Sequence, residues 1–220
     1  MRSVHHPLFV NCNHLNAELR LQAAGKGDGD VIFRPSSKGE DTIAITWAYQ
    51  AGQYIHFELE ERGKAKGSAG LGKELVYRQP PVYEQSFSDL DEIYARFIEP
   101  MNDFIRLLII SKYFVHGDRD EVYTNLYEQA AKDGNRPPYC LSFASKEHGE
   151  RRAGFYTFQL RWIKNINPTI DPNTGLAKDV VKSHSIYVTP DGYICSAIGT
   201  DLTFTRISDL VKVRAPCPVF

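Results

Sequence analysis

The pattern that most constrains this fold is an order of elements that occurs twice along the chain. A helix, three strands and a closing helix are predicted in the first half, and the same order follows in the second half. The two closing helices share a short motif, because FSDLDEI at 87–93 recurs as ISDLVKV at 207–213. A repeat of this length predicts two similar folded units.

Alternating apolar side chains predict the strands of the first unit. Segments TIAITWAYQ (42–50) and QYIHFELEE (53–61) both alternate, and Ile43, Ile45 and Trp47 share one face of the first. The tight Ala51-Gly52 turn predicts a hairpin between them.

The segments on either side are less regular. Asn13 is the predicted N-cap of a helix that carries Leu15, Leu19 and Ala23 on one face. Segment LVYRQPPVYEQSF (75–87) predicts one short edge strand that its two prolines interrupt.

Residues 88–114 predict a long apolar helix, with Ser88 as its cap and a kink or break at Pro100. Its apolar side chains follow three–four spacing and need cover on more than one side. We therefore expect this helix to be shared by the two units and to join them into one rigid body. In the second unit, a helix is predicted at 120–131 and strands in YCLSFASKE, GFYTFQLRWI and HSIYVTPDGYICSAIG.

Composition excludes some classes of protein. The 220 residues suffice for one large or two small domains, and 42% of them are hydrophobic. A net charge of −1 argues against a whole-surface nucleic-acid or membrane binder but permits a local basic pocket. Membrane spans and an N-terminal signal sequence are not predicted. The four cysteines lie far apart, which favours reduced thiols in a reducing compartment.

An arginine ends the first predicted strand, in GDVIFRPSSKGED. Arg34 closes an apolar run, and arginine is rarely buried without an anionic partner. Ser36, Ser37 and Lys38 follow at once and supply two hydroxyls and an ammonium. Because a guanidinium binds phosphate through two parallel hydrogen bonds, the segment predicts a phosphate site on a sheet. A surface arginine before a polar loop is the alternative that these residues leave open.

Two other classes of function have weaker support. A phosphate-handling enzyme would need a nucleophile or a metal set beside Arg34 and a base such as His56, and the sequence shows neither. A nucleic-acid-binding module would use RRAGFYTFQLRW, where Arg151, Arg152 and Arg161 interleave with aromatic residues. The polar run at His116, Asp118 and Asp120 is explained more simply by a helix cap than by a metal, and no cofactor is expected.

These segments together resemble a known family. VIFRPSSKG stands where Src-homology-2 (SH2) domains, the phosphotyrosine readers, have their strand arginine and phosphate-binding loop. GDVIFRPSSKGED, ITW, YIHFELEE, LGKELVY and FSDLDEIYARFIEPM resemble the tandem SH2 modules of the Suppressor-of-Ty six family of transcription elongation factors and histone chaperones. The match is dense over residues 7–115 and sparser from 116 to 220.

This resemblance implies an α+β fold of two SH2-like units, 1–110 and 111–220. Each has a central antiparallel sheet flanked by helices, and the two pack together through the shared helix. It also implies a nuclear, noncatalytic reader of phosphorylated RNA polymerase II, which binds the linker next to the C-terminal repeat tail of the largest subunit. Arg34 would take the phosphate with Ser36, Ser37 and Lys38, and His56 matches a pocket-wall histidine. Membrane and nucleic-acid partners are not expected.

The sequence departs from the ordinary phosphotyrosine reader in two places. The usual arginine early in the first helix is absent, and His14 is the nearest residue, which leaves room for phosphothreonine or phosphoserine. In the second unit, Ser142 or Phe143 falls where the strand arginine would be. The resemblance implies that this unit binds phosphate elsewhere, through Lys112 and through Lys212 or Arg214.

Overall fold

Two antiparallel sheets dominate the chain. The structure is a computed structural model that describes residues 2–24, 29–50, 52–79, 83–132, 138–143, 157–163, 181–196 and 202–212. Within these residues, each sheet has five strands, and in both sheets neighbouring strands follow one another along the chain. Helices flank both sheets, so the predicted α+β class is confirmed.

The first unit contains one sheet, preceded and followed by a helix. Its elements are α1 (His14–Ala23), β1 (Asp30–Pro35), β2 (Thr42–Gln50), β3 (Gln53–Arg62), β4 (Glu74–Gln79), β5 (Tyr83–Phe87) and α2 (Leu90–Ile93). The prediction of a single edge strand over 75–87 is wrong. This segment forms two antiparallel strands paired from Leu75↔Phe87 to Gln79↔Tyr83, and the two prolines fall between them, outside the described residues.

Helix α1 buries a different face from the predicted one. Asn13 caps the helix by accepting the Asn16 N–H, as predicted. The side chains of Leu15 and Leu19, however, are 57% and 60% exposed. The buried face carries Ala17 and Leu21, which pack on Ile32 and Ala48 of the sheet. Small side chains at 17 and 48 let the helix approach the sheet closely, so packing decided the face against the leucine pattern.

The opposite face of the same sheet holds the main core. Ile43, Ile45 and Trp47 are all buried there, as the alternation predicted. The Trp47 indole N–H donates to Asn102 Oδ1 at 2.8 Å, which satisfies its buried donor. Phe97 lies against three further rings of this face, with centroid distances of 5.5 Å to Phe57, 4.8 Å to Tyr77 and 6.0 Å to Phe87.

The long helical segment contains a π-helical turn. After α2, residues Tyr94–Ile98 form this turn, and α3 (Glu99–Ile109) continues from it. The Glu99 N–H donates to the Tyr94 carbonyl, five residues back, directly before Pro100. This irregularity agrees with the break expected there, because proline has no N–H for a regular helical bond. Asp89 rather than the predicted Ser88 caps α2, since its side chain accepts the Glu92 N–H.

The second unit repeats the order of the first. Its elements are α4 (Arg119–Lys132), β6 (Tyr139–Phe143), β7 (Thr157–Ile163), β8 (Val181–Thr189), β9 (Gly192–Cys195), β10 (Thr203–Phe204) and α5 (Ile207–Leu210). Val122 and Leu126 of α4 pack on Cys140 and Ile163 of its sheet. The predicted cap at Asp118 is present as a reciprocal pair, in which Asp118 accepts the Glu121 N–H and Glu121 accepts the Asp118 N–H.

The division between the compact units falls inside α3, between Ile105 and Arg106. Helices long and apolar enough to cross a membrane are not found in the described part of the chain. Cys12, Cys140 and Cys195 carry free thiols, and Cys217 lies outside the described residues.

Candidate anion-binding site

Strand pairing brings polar side chains from three strands to one face of the first sheet. Arg34 pairs with Ala44, and Ala44 pairs with Glu58, while Thr46 pairs with His56. Residues paired directly across antiparallel strands share a face, so all of these side chains project toward the α1 side. Because α1 packs over Ile32 and Ala48, one end of this face is covered, and Arg34 lies toward the other end.

A chain of hydrogen bonds holds the Arg34 guanidinium. Arg34 Nε donates to Thr46 Oγ1 at 2.9 Å, and Thr46 Oγ1 lies 3.1 Å from His56 Nδ1. His56 Nε2 lies 2.7 Å from Glu18 Oε1 on α1. The Glu18 carboxylate only accepts, so His56 donates from Nε2. In the neutral ring, Nδ1 then accepts the Thr46 hydroxyl. The chain therefore runs in one direction, from the guanidinium to the carboxylate.

Burial shifts the ionisation of this site. It lowers the pKa of the Arg34 guanidinium, against the opposing effects of Cys12, Glu58 and Glu18. Burial also lowers the pKa of His56, and the hydrogen bond to Glu18 works against it. The arginine stays charged at neutral pH, whereas burial favours the neutral form of the histidine.

The loop after β1 is tied to β3 by a carboxylate. Ser36 Oγ donates to Glu58 Oε1 at 2.7 Å, and Lys38 Nζ lies 2.6 Å from Glu58 Oε2. The Lys38 N–H donates to Ser36 Oγ at 3.0 Å. Ser37 is exposed. The structure thus brings Arg34, His56, Ser36 and Lys38 together, and Glu58 of β3 contacts two of them, Ser36 and Lys38.

Arg34 is suited to bind an anion from outside the chain. Its side chain belongs to a residue only 7% exposed, which rules out the surface arginine left open above. Its hydrogen bonds go to two neutral groups, the Thr46 hydroxyl and the Pro35 carbonyl. Within the described residues, no carboxylate forms an ion pair with it. A buried guanidinium in this state provides N–H groups and charge for a bidentate anion.

Sequence reasoning missed Glu18, Thr46 and Glu58. Glu58 reaches the site through the pairing of β2 with β3, and Glu18 reaches it through the packing of α1 on the sheet. Thr46 did leave a signal, because Ala44, Thr46 and Ala48 are the small residues that alternate with the apolar face of β2. His14 also lies here, with its ring 5.7 Å from that of His56 in an edge-on contact.

The second unit has a serine at the position of Arg34. An isolated parallel bridge joins Phe9 to Phe33 in the first unit, and a matching bridge joins Phe114 to Leu141 in the second. Phe33 and Leu141 therefore correspond, and so do Arg34 and Ser142. Ser142 is buried, and its hydroxyl donates to the Phe143 carbonyl. The expectation that this unit lacks the strand arginine therefore agrees with the register.

A buried arginine is nevertheless present one strand away. Arg161 pairs with Cys140 and takes the place that Thr46 has in the first unit. It is 3% exposed, donates from Nε and Nη2 to Gln159 Oε1 at 2.8 and 2.6 Å, and lies over the Tyr123 ring. Arg161 is thus held inside the unit, which removes it from the surface that the nucleic-acid alternative requires. Arg151 and Arg152 lie outside the described residues.

The residues predicted to bind phosphate in the second unit are two exposed lysines and an arginine. Lys112 is exposed, and its ammonium lies 5.1 Å from the Tyr113 ring centroid. Lys212 is exposed and lies 3.0 Å from Asp209 Oδ1. Arg214 lies outside the described residues. In the part of the chain that the structure describes, Lys112 and Lys212 thus contact only near neighbours in sequence.

Comparison with known sequences gives one family. The sequence model of the SH2 domain matches residues 1–212. The chain is 29% identical over 219 residues to transcription elongation factor SPT6 of Drosophila melanogaster, covering 83% of this chain and 12% of that protein. It is 31% identical over 148 residues to spt-6 of Neurospora crassa, covering 67% of this chain and 10% of that protein. The chain spans about a tenth of the length of these relatives.

Two solved structures share the fold. One is a tandem SH2 domain in transcription elongation factor Spt6, described as binding the phosphorylated RNA polymerase II C-terminal repeat domain. Its TM-score is 0.73 at 22% identity, with 96% of this chain and 93% of that chain covered. The other comprises the tandem SH2 domains of Spt6 from Antonospora locustae, with a TM-score of 0.61 at 17% identity, covering 94% and 91%.

Proposed function

We propose, given that this chain belongs to the SH2 domain family, that it is the phosphopeptide-binding module of a transcription elongation factor. Its ligand would be RNA polymerase II phosphorylated in the linker next to the C-terminal repeat tail of the largest subunit. The similar Spt6 tandem SH2 domain, which binds the phosphorylated repeat domain, supports the partner. The parent protein would act in the nucleus, as a histone chaperone that travels with the polymerase.

The buried Arg34 is the observation that carries this proposal. Its guanidinium is fixed by a neutral hydroxyl, and its charge has no ion-pair partner among the described residues. A phosphate ester carries about −1.5 to −2 charges and three acceptor oxygens at neutral pH. Arg34 would bind it through two parallel hydrogen bonds, and the hydroxyls of Ser36 and Ser37 and the Lys38 ammonium would complete the site.

The site favours binding over hydrolysis. The Thr46 hydroxyl does contact the His56 ring, but Thr46 is fully buried and its oxygen already accepts from Arg34 Nε, so it is not exposed to attack a bound phosphate ester. Binding phosphate therefore does not imply cleaving it. Free phosphate should stay at the background level when the protein is incubated with a phosphopeptide, and sustained release would contradict a noncatalytic module.

A titration tests the proposal directly. Polymerase linker peptides carrying phosphoserine, phosphothreonine or phosphotyrosine, one at a time, are compared with the unphosphorylated peptide by fluorescence anisotropy. The tightest phosphopeptide should lose well over tenfold in affinity with Arg34→Ala, about 2–5 kcal/mol for an unpaired buried charge. Arg34→Lys should recover only part, because an ammonium lacks the planar fork.

Arg96→Ala is the matched control for this titration. Arg96 lies in the π-helical turn that packs on the opposite face of the sheet, is exposed and pairs with Glu92, so it carries an equal charge away from the site. Its replacement should change the affinity by less than about twofold, since exposed ion pairs contribute little. Unchanged affinity with Arg34→Ala would remove Arg34 from the site.

For the second unit, we propose Lys112 and Lys212 or Arg214 as its phosphate-binding side chains. Lys112 and Lys212 are exposed and make only local contacts within the described residues, so they can reach an anion without breaking buried structure. To test this role, the same peptides are extended to carry a second phosphate and titrated with the Lys112→Ala variant. A loss of affinity is expected.

A further inference from the structure

Glu58 holds two of the donors that a phosphate would take. One carboxylate oxygen accepts the Ser36 hydroxyl at 2.7 Å, and the other lies 2.6 Å from the Lys38 ammonium. The Lys38 N–H closes the loop on Ser36 Oγ at 3.0 Å. A carboxylate that accepts one hydrogen bond on each oxygen uses the same donors as two oxygens of a phosphate would.

The register places Glu58 in the row of Arg34. Arg34, Ala44 and Glu58 face each other across β1, β2 and β3. Neighbouring strands lie about 4.8 Å apart, so two long side chains on the outer strands of this row reach over the alanine between them into one volume. The electrostatic effect of Glu58 on Arg34 is consistent with this closeness.

We propose that Glu58 is an internal competitor for the phosphate. In the free protein its carboxylate occupies Ser36 and Lys38, and a bound phosphate displaces it from both. This exchange, which rests on the proposed phosphate site at Arg34, determines how tightly the site binds. The displaced carboxylate returns to water readily, because its side chain is already 28% exposed.

The local charges show why the exchange matters. Arg34 and Lys38 are the cations of the site, and the carboxylates of Glu18 and Glu58 offset them, while burial favours the neutral form of His56. A phosphate therefore enters a site with no net positive charge, and the Glu58 carboxylate already occupies the donors that the phosphate would use. Removing the Glu58 charge leaves the site positive, frees the Lys38 ammonium and leaves the Ser36 hydroxyl with only a neutral acceptor, so affinity should rise.

The test is Glu58→Gln, titrated with the tightest phosphorylated linker peptide from the Arg34 experiment. Glutamine keeps the size and can still accept the Ser36 hydroxyl, so we expect folding to be retained and affinity to rise about five- to tenfold. Glu60→Gln is the matched control. It removes the same charge two residues along the same strand, where Glu60 contacts Arg62 and Arg78, and should shift affinity by less than about twofold.

A second pair of variants separates exchange from simple repulsion. In a Ser36→Ala/Lys38→Ala background, the gain from Glu58→Gln should shrink to about twofold or less, because the shared donors are gone. A gain of full size there, or an unchanged or weaker affinity in Glu58→Gln alone, would overturn the inference. If Arg34→Ala also left binding unchanged, the proposed phosphate site itself would be wrong.

Discussion

Arg34 is oriented by Thr46, a hydroxyl that accepts a hydrogen bond without cancelling the charge. A carboxylate in that place would neutralise the guanidinium and compete with any anion. Thr46 is itself held by His56, and His56 by Glu18, so the carboxylate acts on the arginine through two neutral groups. At the residue scale, the site is therefore prepared for an anion while its buried polar groups are satisfied.

His56 should make stability depend on pH. Burial lowers its pKa below the ordinary value of 6.5, so the unfolded chain binds a proton at this ring at a higher pH than the folded protein does. The free energy of unfolding should therefore fall as the pH drops below about 6.5. In urea unfolding at a series of pH values, His56→Gln should make this fall shallower, whatever its effect on stability at neutral pH.

His184→Gln is the companion variant in the second unit. Burial lowers the pKa of His184 as well, so its replacement should also make the fall shallower, and the double variant should be shallower than either single one. A slope in His56→Gln equal to that of the unaltered protein would show that the ring is not held neutral.

The candidate site was predictable from the sequence only in part. Arg34, Ser36, Ser37 and Lys38 follow one another, so local chemistry was enough to group them. Thr46, Glu58 and Glu18 reach the site through strand register and helix packing, which depend on residues far apart in the chain. The proposed competition by Glu58 depends on the row that it shares with Arg34, and this row is set by the strand register.

Helix α1 shows the same limit at the scale of elements. The leucines at 15 and 19 satisfied the helical spacing, yet the sheet surface beneath the helix selected the face with Ala17 and Leu21. The strands of β2 and β3 were predicted with little error, because alternation on a half-buried face is a strong signal. The β4–β5 hairpin was missed, since two adjacent prolines indicated a broken strand rather than a turn between two strands.

Two leucines on α1 should differ in their effect on stability. Leu21→Ala leaves a cavity against Ile32 and Ala48 and should lower the free energy of unfolding by about 2–4 kcal/mol. Leu19→Ala, two residues away on the exposed face, should change it by no more than about 0.5 kcal/mol. Chemical denaturation measures both, and equal effects would mean that the buried face is assigned wrongly.

The whole molecule repeats one arrangement and varies its chemistry. In the described residues, both units run helix, five strands, helix, and both carry a buried arginine on the sheet face that packs against their first helix. In the first unit the arginine lies on β1 and is held by a hydroxyl. In the second it lies on β7, held by Gln159 and the Tyr123 ring. The repeat was predictable from the sequence. That the second arginine lies one strand further along its sheet than the first could be recognised only from the strand register.

The division of the chain inside α3 bears on how it unfolds. Ile105 belongs to one unit and Arg106 to the other, so unfolding of either unit would remove part of a single helix from its partner. We therefore expect one cooperative transition for the whole chain in differential scanning calorimetry.

Leu107 offers the matched pair of variants, because it lies in α3 just past the division and is 51% exposed. Leu107→Ala should keep one transition, whereas Leu107→Pro should interrupt the helix and separate two, since proline in a helix interior costs about 3 kcal/mol. Two well-separated transitions in the unaltered protein would mean that the units fold independently and that the helix does not couple them.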